Sequence, residues 1–271
     1  MNNLVFSDSY LYKTGERIVP GSVTFAAFIE HWQRYLFATK YCKYKIVLNV
    51  ASGSGYGSIA LLKQAKEVFN VDISELSVAY GNKYYGAYNN HFIQLDAERL
   101  KFPANFFDVV VSFETIEHLP HPKRFISDCY RVLKKGGRLI LSSPNKSITA
   151  PYTDRPANKF HLHEWNFDGI KKLLIQKFKI ENLYGQNYRK RPALKDNSLR
   201  LKTNLVGRAA ELMPGVLMRI IKKYLWKYPN IDLFKIKASR ENLIFKVKEN
   251  EFTPDKKGYA YSIIILCLQK E

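Results

Sequence analysis

The chain has 271 residues, 43 Lys+Arg against 24 Asp+Glu and a formal net charge of +19 at neutral pH, and it is 46% hydrophobic and 14% aromatic. This composition excludes a disordered, collagen-like or low-complexity chain, and a chain of this length buries a core without needing disulfides or metal. The excess positive charge predicts an anionic partner, and it is uneven: residues 1–145 hold 17 basic and 12 acidic residues (net +5), residues 146–271 hold 26 and 12 (net +14), and 186–240 alone hold 14 and 3 (net +11).

Cys42, Cys129 and Cys267 are far apart and in no CxxC pair, which argues against a cysteine zinc site and a secreted disulfide scaffold. MNNLVFSDSY lacks a basic start followed by an apolar stretch. The apolar run Ile263 to Leu268 is far short of the ~20 residues that a membrane span needs. A cytoplasmic protein is the expectation.

Residues 22–41 read as a helix, with Ser22 as N-cap and Phe25, Phe28, Ile29, Trp32 and Leu36 at helical spacing. KIVLNV (45–50) is an apolar strand, followed by a Gly-rich turn and the helix SIALLKQAK. EVFNVD (67–72), HFIQLD (91–96), FDVVVSF (107–113) and GRLILSS (137–143) are the next strands, with helices near 75–85 and 122–134. Helix 167–177 leads to strand 178–184, and NLIFKVK (242–248) and YAYSIIILCLQ (259–269) close the chain as two strands able to pair antiparallel. Continuous apolar strands alternating with helices predict an α/β, doubly wound, mostly parallel Rossmann-like sheet. The domain reading is an N-terminal helical extension (1–44), a core (45–185), a basic helical insertion (186–240) and C-terminal strands that complete the sheet (241–271).

VLNVASGSGYGS (47–58) is a strand, a tight small-residue turn and a helix start. Gly53 and Gly55 allow a ligand close to the backbone, and Asp72, at the end of the second strand, stands where a carboxylate accepts from both hydroxyls of a ribose. Asp96 follows the third strand at the same sheet edge. A dinucleotide fingerprint from Gly53 and Gly55 requires glycine at position 58, and the chain has Ser58.

These motifs, in this order, resemble the class I S-adenosylmethionine-dependent methyltransferases over residues 45–145. NVASGSG is similar to that family's first motif, VDIS (71–74) to its ribose-binding strand end and LDAERLKF (95–102) to its adenine loop. FDVVVSFETIEHL (107–119) and RVLKKGGRLILSSPN (131–145) resemble its next two strand motifs. The resemblance implies a seven-stranded sheet with an antiparallel last strand and S-adenosylmethionine as cofactor. It also implies Ala51 and Gly53 along the methionine part, Asp72 on the ribose, Ile73 packed on adenine and Asp96 on the adenine amino group, with Asn49, Gly55, Ala97, Phe113 and Glu114 completing the cofactor set. Asn49 stands where the family usually has an acidic residue; it accepts a hydrogen bond but offers no charge to the cofactor's ammonium.

An acceptor hydroxyl needs a base or a metal. FETIEHL supplies Glu114, Glu117 and His118 at i, i+3, i+4 spacing, and His118, with Glu117, is the expected base. The same residues with His161 or His163 of KFHLHEWNF form an alternative divalent-metal set, with magnesium as the expected ion and His163 as the chosen fourth ligand. That pattern is similar to small-RNA 2′-O-methyltransferases and ubiquinone-pathway O-methyltransferases. The plain alternative has Glu114 near the cofactor and the other two capping a loop. His121, beside two prolines, reads as solvated loop.

TGERIVPG (14–21) with HLHEWNF resembles methyltransferases of bacterial surface-glycan and sugar modification, in which Glu16 or Arg17 closes a lid over the cofactor; the bland reading is a turn and a capped helix start. In the insertion, VLMRIIKKYLWKY (216–228) is amphipathic, with Leu217, Ile220, Ile221, Tyr224, Leu225 and Tyr228 opposite Arg219, Lys222, Lys223 and Lys227. It covers the acceptor pocket, docks 205–228 on an anionic membrane surface, or grips nucleic acid. The expectation is methyl transfer to a sugar hydroxyl of a glycan or of a nucleotide- or lipid-linked intermediate. The alternatives are a metal-assisted RNA 2′-O-methyltransferase, an NAD-dependent oxidoreductase and a catalytically silent binding module.

Overall fold

The computed structural model describes residues 18–19, 25–153, 155–156, 158–187, 244–246 and 260–269. Ser22, Glu16, Arg17 and nearly all of the basic insertion, including 216–228, lie outside the described residues.

The helices are α1 (Phe25–Thr39), α2 (Gly57–Leu61), α3 (Glu75–Tyr85), α4 (Pro122–Val132), α5 (Lys146–Thr149) and α6 (Phe167–Leu174). The strands are β1 (Ile46–Val50), β2 (Glu67–Asp72), β3 (Asn90–Gln94), β4 (Phe107–Phe113), β5 (Leu133–Pro144), β6 (Phe178–Asn187), β7 (Ile244–Lys246) and β8 (Ala260–Gln269). They form one sheet in the order β3-β2-β1-β4-β5-β8-β6-β7. The first five strands of that order are parallel, and β8 runs antiparallel to both β5 and β6. This is the expected doubly wound, methyltransferase-like architecture: seven strands, with a three-residue eighth strand on the edge.

One pairing differs from expectation. The two C-terminal runs do not pair with each other. β8 inserts between β5 and β6, and β7 adds to the far side of β6. The cause is apolarity: Ile263 to Cys267 are all buried, and only an interior position covers both faces of such a strand.

Each face carries its own core. Val47, Val68, Val109 and Val111 pack with α1, α2 and α3, and Leu48, Val50, Val110 and Leu141 pack with α4 and α6. Side-chain alternation along continuous apolar strands produces the two sets. The first face is strongly aromatic. Tyr35 of α1 meets Tyr56 at 5.7 Å and Phe113 at 5.1 Å, both edge-on, which seats α1 against the ends of β1 and β4.

Arg34 anchors α1 further. It is 1% exposed; its Nε donates to Gln186 Oε1 at 2.8 Å, and its Nη2 donates to Glu30 Oε1 and Ser262 Oγ, both at 3.0 Å. A buried guanidinium stays charged only with such partners, so the helix is keyed to β6 and β8 at one position. Among the described residues no helix is long and apolar enough to cross a membrane.

Candidate active site

The parallel strands end along one edge, where a doubly wound sheet opens its crevice. β1 gives way there to a strained turn. Ala51, Gly53 and Gly55 have φ of 54°, 56° and 85°. A Cβ at Gly53 would stand in open space, whereas one at Gly55 would run into the Phe92 ring. The turn is therefore tight on the protein side at Gly55 and open on the outer side at Gly53.

Asp72 fixes this turn. It is 5% exposed; its Oδ2 accepts from Gly53 N at 2.8 Å and its Oδ1 from Ser74 N at 2.9 Å. Each carboxylate oxygen has capacity for a second donor, so the pair is oriented for two neighbouring hydroxyls. Ile73, beside it, is 64% exposed, an apolar shelf at the lip of the crevice. Asp96 is exposed, with Oδ1 accepting from Glu98 N at 2.8 Å, and Ala97 behind it is buried. Open space over Gly53, a held carboxylate and an exposed apolar shelf fit a nucleoside with a chain attached.

Two residues of α4, Asp128 and Arg131, escaped the sequence reading although they hold the loop that carries Asp96. Asp128 Oδ2 accepts from Leu100 N at 2.7 Å, and Arg131 donates to the carbonyls of Leu100 and Phe102. Their visible signal was an acid–base pair at i, i+3 on a helix.

Glu114, just after β4, has φ of 50°, and like Ala51, just after the neighbouring β1, it is a non-glycine residue in the left-handed region. Such strain persists where surroundings over-determine it, and it clusters at functional sites. Ser142 Oγ donates to Glu114 Oε1 at 2.7 Å, and Arg34 Nη1 stands 3.7 Å from the same oxygen. Phe113, at this strand end, is buried against the Tyr35 ring.

The following 3-10 turn, Ile116–His118, carries the candidate chemistry. Glu117 is fully buried, and neither carboxylate oxygen meets a donor at hydrogen-bond geometry. Burial pushes its carboxyl well above the usual range; the Glu114 charge adds to this and Arg34 opposes it. Ligand atoms of Glu117, His118 and His161 all lie within 4.8 Å of one another.

The ring partners set both tautomers. His118 Nδ1–H donates to the Phe160 carbonyl at 3.0 Å, which puts the lone pair of the neutral ring on Nε2. His161 Nδ1 faces Glu164 Oε1 at 2.7 Å, leaving Nε2 toward the Asn158 amide nitrogen at 3.0 Å. Glu164 is itself held by Thr149 Oγ1 at 2.5 Å. A carboxylate behind an imidazole fixes its tautomer and its plane.

The structure thus brings together Glu117, His118 and His161. It leaves Glu114 and His163 outside that group, contrary to the expected four-ligand set. Glu114 turns to Ser142 and Arg34, and the His163 ring stacks on Trp165 at 5.3 Å. The backbone decides this: Leu162 N and His163 N both donate to the Glu117 carbonyl, and this pinning presents His161. A set of two nitrogens and one oxygen suits zinc or manganese-like ions better than magnesium, which prefers oxygen. His121 is exposed beside Glu98, as its solvated-loop reading expects.

Residues 48–141 match the family model described as a methyltransferase domain. A probable S-adenosylmethionine-dependent methyltransferase of Mycobacterium tuberculosis is 35% identical over 170 residues, 62% of this chain and 61% of the relative. The chain therefore spans about three fifths of that relative's length. A similarly described protein of Mycolicibacterium smegmatis is 34% identical over 183 residues, 65% of this chain and 69% of the relative. Among solved structures, a Thermotoga maritima protein described as a possible histamine N-methyltransferase superposes with a TM-score of 0.57 at 15% identity, over 91% of this chain and 92% of that one, which is a likeness of fold.

Proposed function

The chain belongs to the class I S-adenosylmethionine-dependent methyltransferases, and from that premise we propose that it methylates a hydroxyl group, with Glu117, His118 and His161 at the acceptor end of the crevice. S-adenosylmethionine supplies a methyl group already activated on a sulfonium. The protein's part is to hold donor and acceptor in line and to take the acceptor's proton.

Asp72 holds the ribose through the outer lone pairs of its two oxygens, and the open turn at Gly53 leaves room for the chain beyond it. Ile73 covers the base and Asp96 accepts from its amino group. His118 Nε2 takes the hydroxyl proton as the oxygen–carbon bond forms and the carbon–sulfur bond breaks.

The cluster of Glu117, His118 and His161 carries the hydroxyl reading. A neutral amine attacks without a base beside it, whereas an alcohol needs its proton taken as it attacks. The same three residues would fit a divalent ion, held by the Glu117 carboxylate and a ring nitrogen of each histidine, which would acidify a bound hydroxyl. The burial of the Glu117 carboxyl beside two imidazoles is the observation that favours this second form.

A sugar hydroxyl is the proposed acceptor. Its support is the resemblance of TGERIVPG and HLHEWNF to glycan-modifying methyltransferases, together with the place of His161, from the second segment, in the cluster. Methyl-labelled S-adenosylmethionine, incubated with the full chain and with separated glycan, lipid-linked and RNA fractions, tests it. Label is expected in a glycan or lipid-linked sugar fraction, with loss on chelation if the ion is used. Label in RNA alone would replace the sugar reading by the 2′-hydroxyl one.

A further inference from the structure

The segments that enter the strands lie at the sheet edge opposite the crevice, and their charge is one-sided. Lys40, Lys43 and Lys45 precede β1, and Lys63 and Lys66 precede β2. Lys134 and Lys135 stand at the start of β5, where residues 134–137 leave the ladder between the Leu133–Phe107 and Arg138–Val109 pairs. Lys177 precedes β6. Against these eight lysines, residues 40–45, 62–67, 86–89, 102–108, 133–137 and 175–177 hold two acids, Glu67 and Asp108. Both acids are engaged: Glu67 Oε1 lies 2.7 Å from His91 Nε2, and Asp108 accepts from Ile46 N at 2.8 Å and Lys134 Nζ at 3.0 Å. Among the described residues, Lys134 is the one lysine of the eight in an ion pair, and the other seven are exposed. Residues 51–56, 73–75, 95–101 and 114–121, which leave β1 to β4, have the opposite bias: Glu75, Asp96, Glu98, Glu114 and Glu117 against Arg99 and Lys101.

Hydrogen bonds join these segments into one surface. Tyr44 N donates to the Gln64 carbonyl at 2.8 Å, Lys66 N to the Lys45 carbonyl at 2.9 Å and Val68 N to the Asn89 carbonyl at 2.9 Å. Phe106 N donates to the Val132 carbonyl at 2.9 Å, and Gln269 Nε2 to the Leu133 carbonyl at 3.0 Å. In the sheet order the surface runs from β3 to β6, which is about 30 Å at ~4.8 Å per strand. Two tyrosines stand out from it, Tyr88 at 92% exposure and Tyr44 at 78%. Tyr44 has φ of 59°, a region that an aromatic residue rarely adopts, and its bond to Gln64 holds it there. The strained backbone thus keeps an aromatic ring in solvent, with Lys43 Nζ 5.4 Å from the ring centre.

We propose that this lysine-rich edge docks the protein on an anionic membrane surface. Lysines spread along about 30 Å match a diffuse negative surface, and each contributes about fivefold to binding there. Exposed tyrosines, apolar with a polar tip, suit the headgroup level of a bilayer. These segments contain no arginine, which favours lipid over nucleic acid. A guanidinium fork reads a phosphate in fixed geometry, whereas a lysine is a point charge that tolerates mobile headgroups. The crevice opens at the other edge of the same sheet, so docking leaves it free to take its ligands. This surface belongs to the core and is separate in sequence from the basic insertion 186–240.

The test is co-sedimentation of the full chain with vesicles of phosphatidylcholine alone and of phosphatidylcholine mixed with phosphatidylglycerol. Binding is expected to the mixed vesicles only, and raised salt should weaken it. The triple variant Lys43→Glu, Lys63→Glu, Lys66→Glu is expected to bind them about a hundredfold more weakly while unfolding at the wild-type temperature. Tyr44→Gly, which suits the left-handed backbone, is expected to cost about threefold. Equal binding to both kinds of vesicle, or none to the mixed ones, would overturn the proposal. So would a triple variant that binds the mixed vesicles as the wild type does, since the contact would then lie elsewhere in the chain. A triple variant that lost affinity for a mixed-sequence single-stranded RNA and kept it for the vesicles would make the edge a nucleic-acid surface instead.

Discussion

Asp72→Ala is expected to weaken S-adenosylhomocysteine binding by about two to three orders of magnitude. Two ribose hydroxyls donating to a carboxylate make charge-assisted bonds, each costing about 1.5–3 kcal/mol to lose, and their sum falls short of full additivity. Asp72 also ties Gly53 N and Ser74 N, so the variant loosens the turn at the same time. Asp72→Asn keeps one acceptor oxygen and should fall between. Asp96→Ala, on an exposed loop, should cost about 1 kcal/mol. Titration calorimetry of the three variants checks the order, and an unchanged affinity for Asp72→Ala would remove the ribose role.

The second large effect is expected at the acceptor end. His118→Ala should lower methyl transfer by about a hundredfold or more while S-adenosylhomocysteine binds as in the wild type, because His118 takes the acceptor's proton and general acid–base groups contribute about 10²–10⁴ to rate. Glu117→Gln should behave alike. His163→Ala, whose ring stacks on Trp165 away from the cluster, should leave turnover within a few-fold. Elemental analysis of the purified variants separates the two forms of the proposal: if an ion is held, its content falls with His161→Ala and Glu117→Gln. Full activity of His118→Ala would overturn both forms.

Much of this was legible in the residues. β2, α3 and β4 begin and end where the sequence pattern puts them, because each is an apolar or periodic run bounded by polar or turn residues. The glycine turn and Asp72 were legible for a related reason: their chemistry depends on residue type at a strand end, which is local. α2 is shorter than its pattern, since Leu62 and Lys63 turn the chain toward β2. β5 starts earlier than its apolar run, because Leu133 already pairs with Phe107.

What stayed hidden depends on contacts between distant segments. Nothing in HLHEWNF distinguishes His161 from His163; two backbone bonds from Leu162 and His163 to Glu117 do. The apolar spacing of helix 22–41 carries no sign of Arg34's burial, which appears only when β6 and β8 arrive with Gln186 and Ser262. The net +11 of residues 186–240 falls in the sequence outside the cofactor motifs and the Glu117, His118 and His161 segments.

The most direct measurement is equilibrium dialysis of the full chain against labelled S-adenosylmethionine, with S-adenosylhomocysteine and NAD as competitors. Saturable binding that S-adenosylhomocysteine displaces and NAD does not is the predicted result. Binding of NAD, with none of S-adenosylmethionine, would contradict the account.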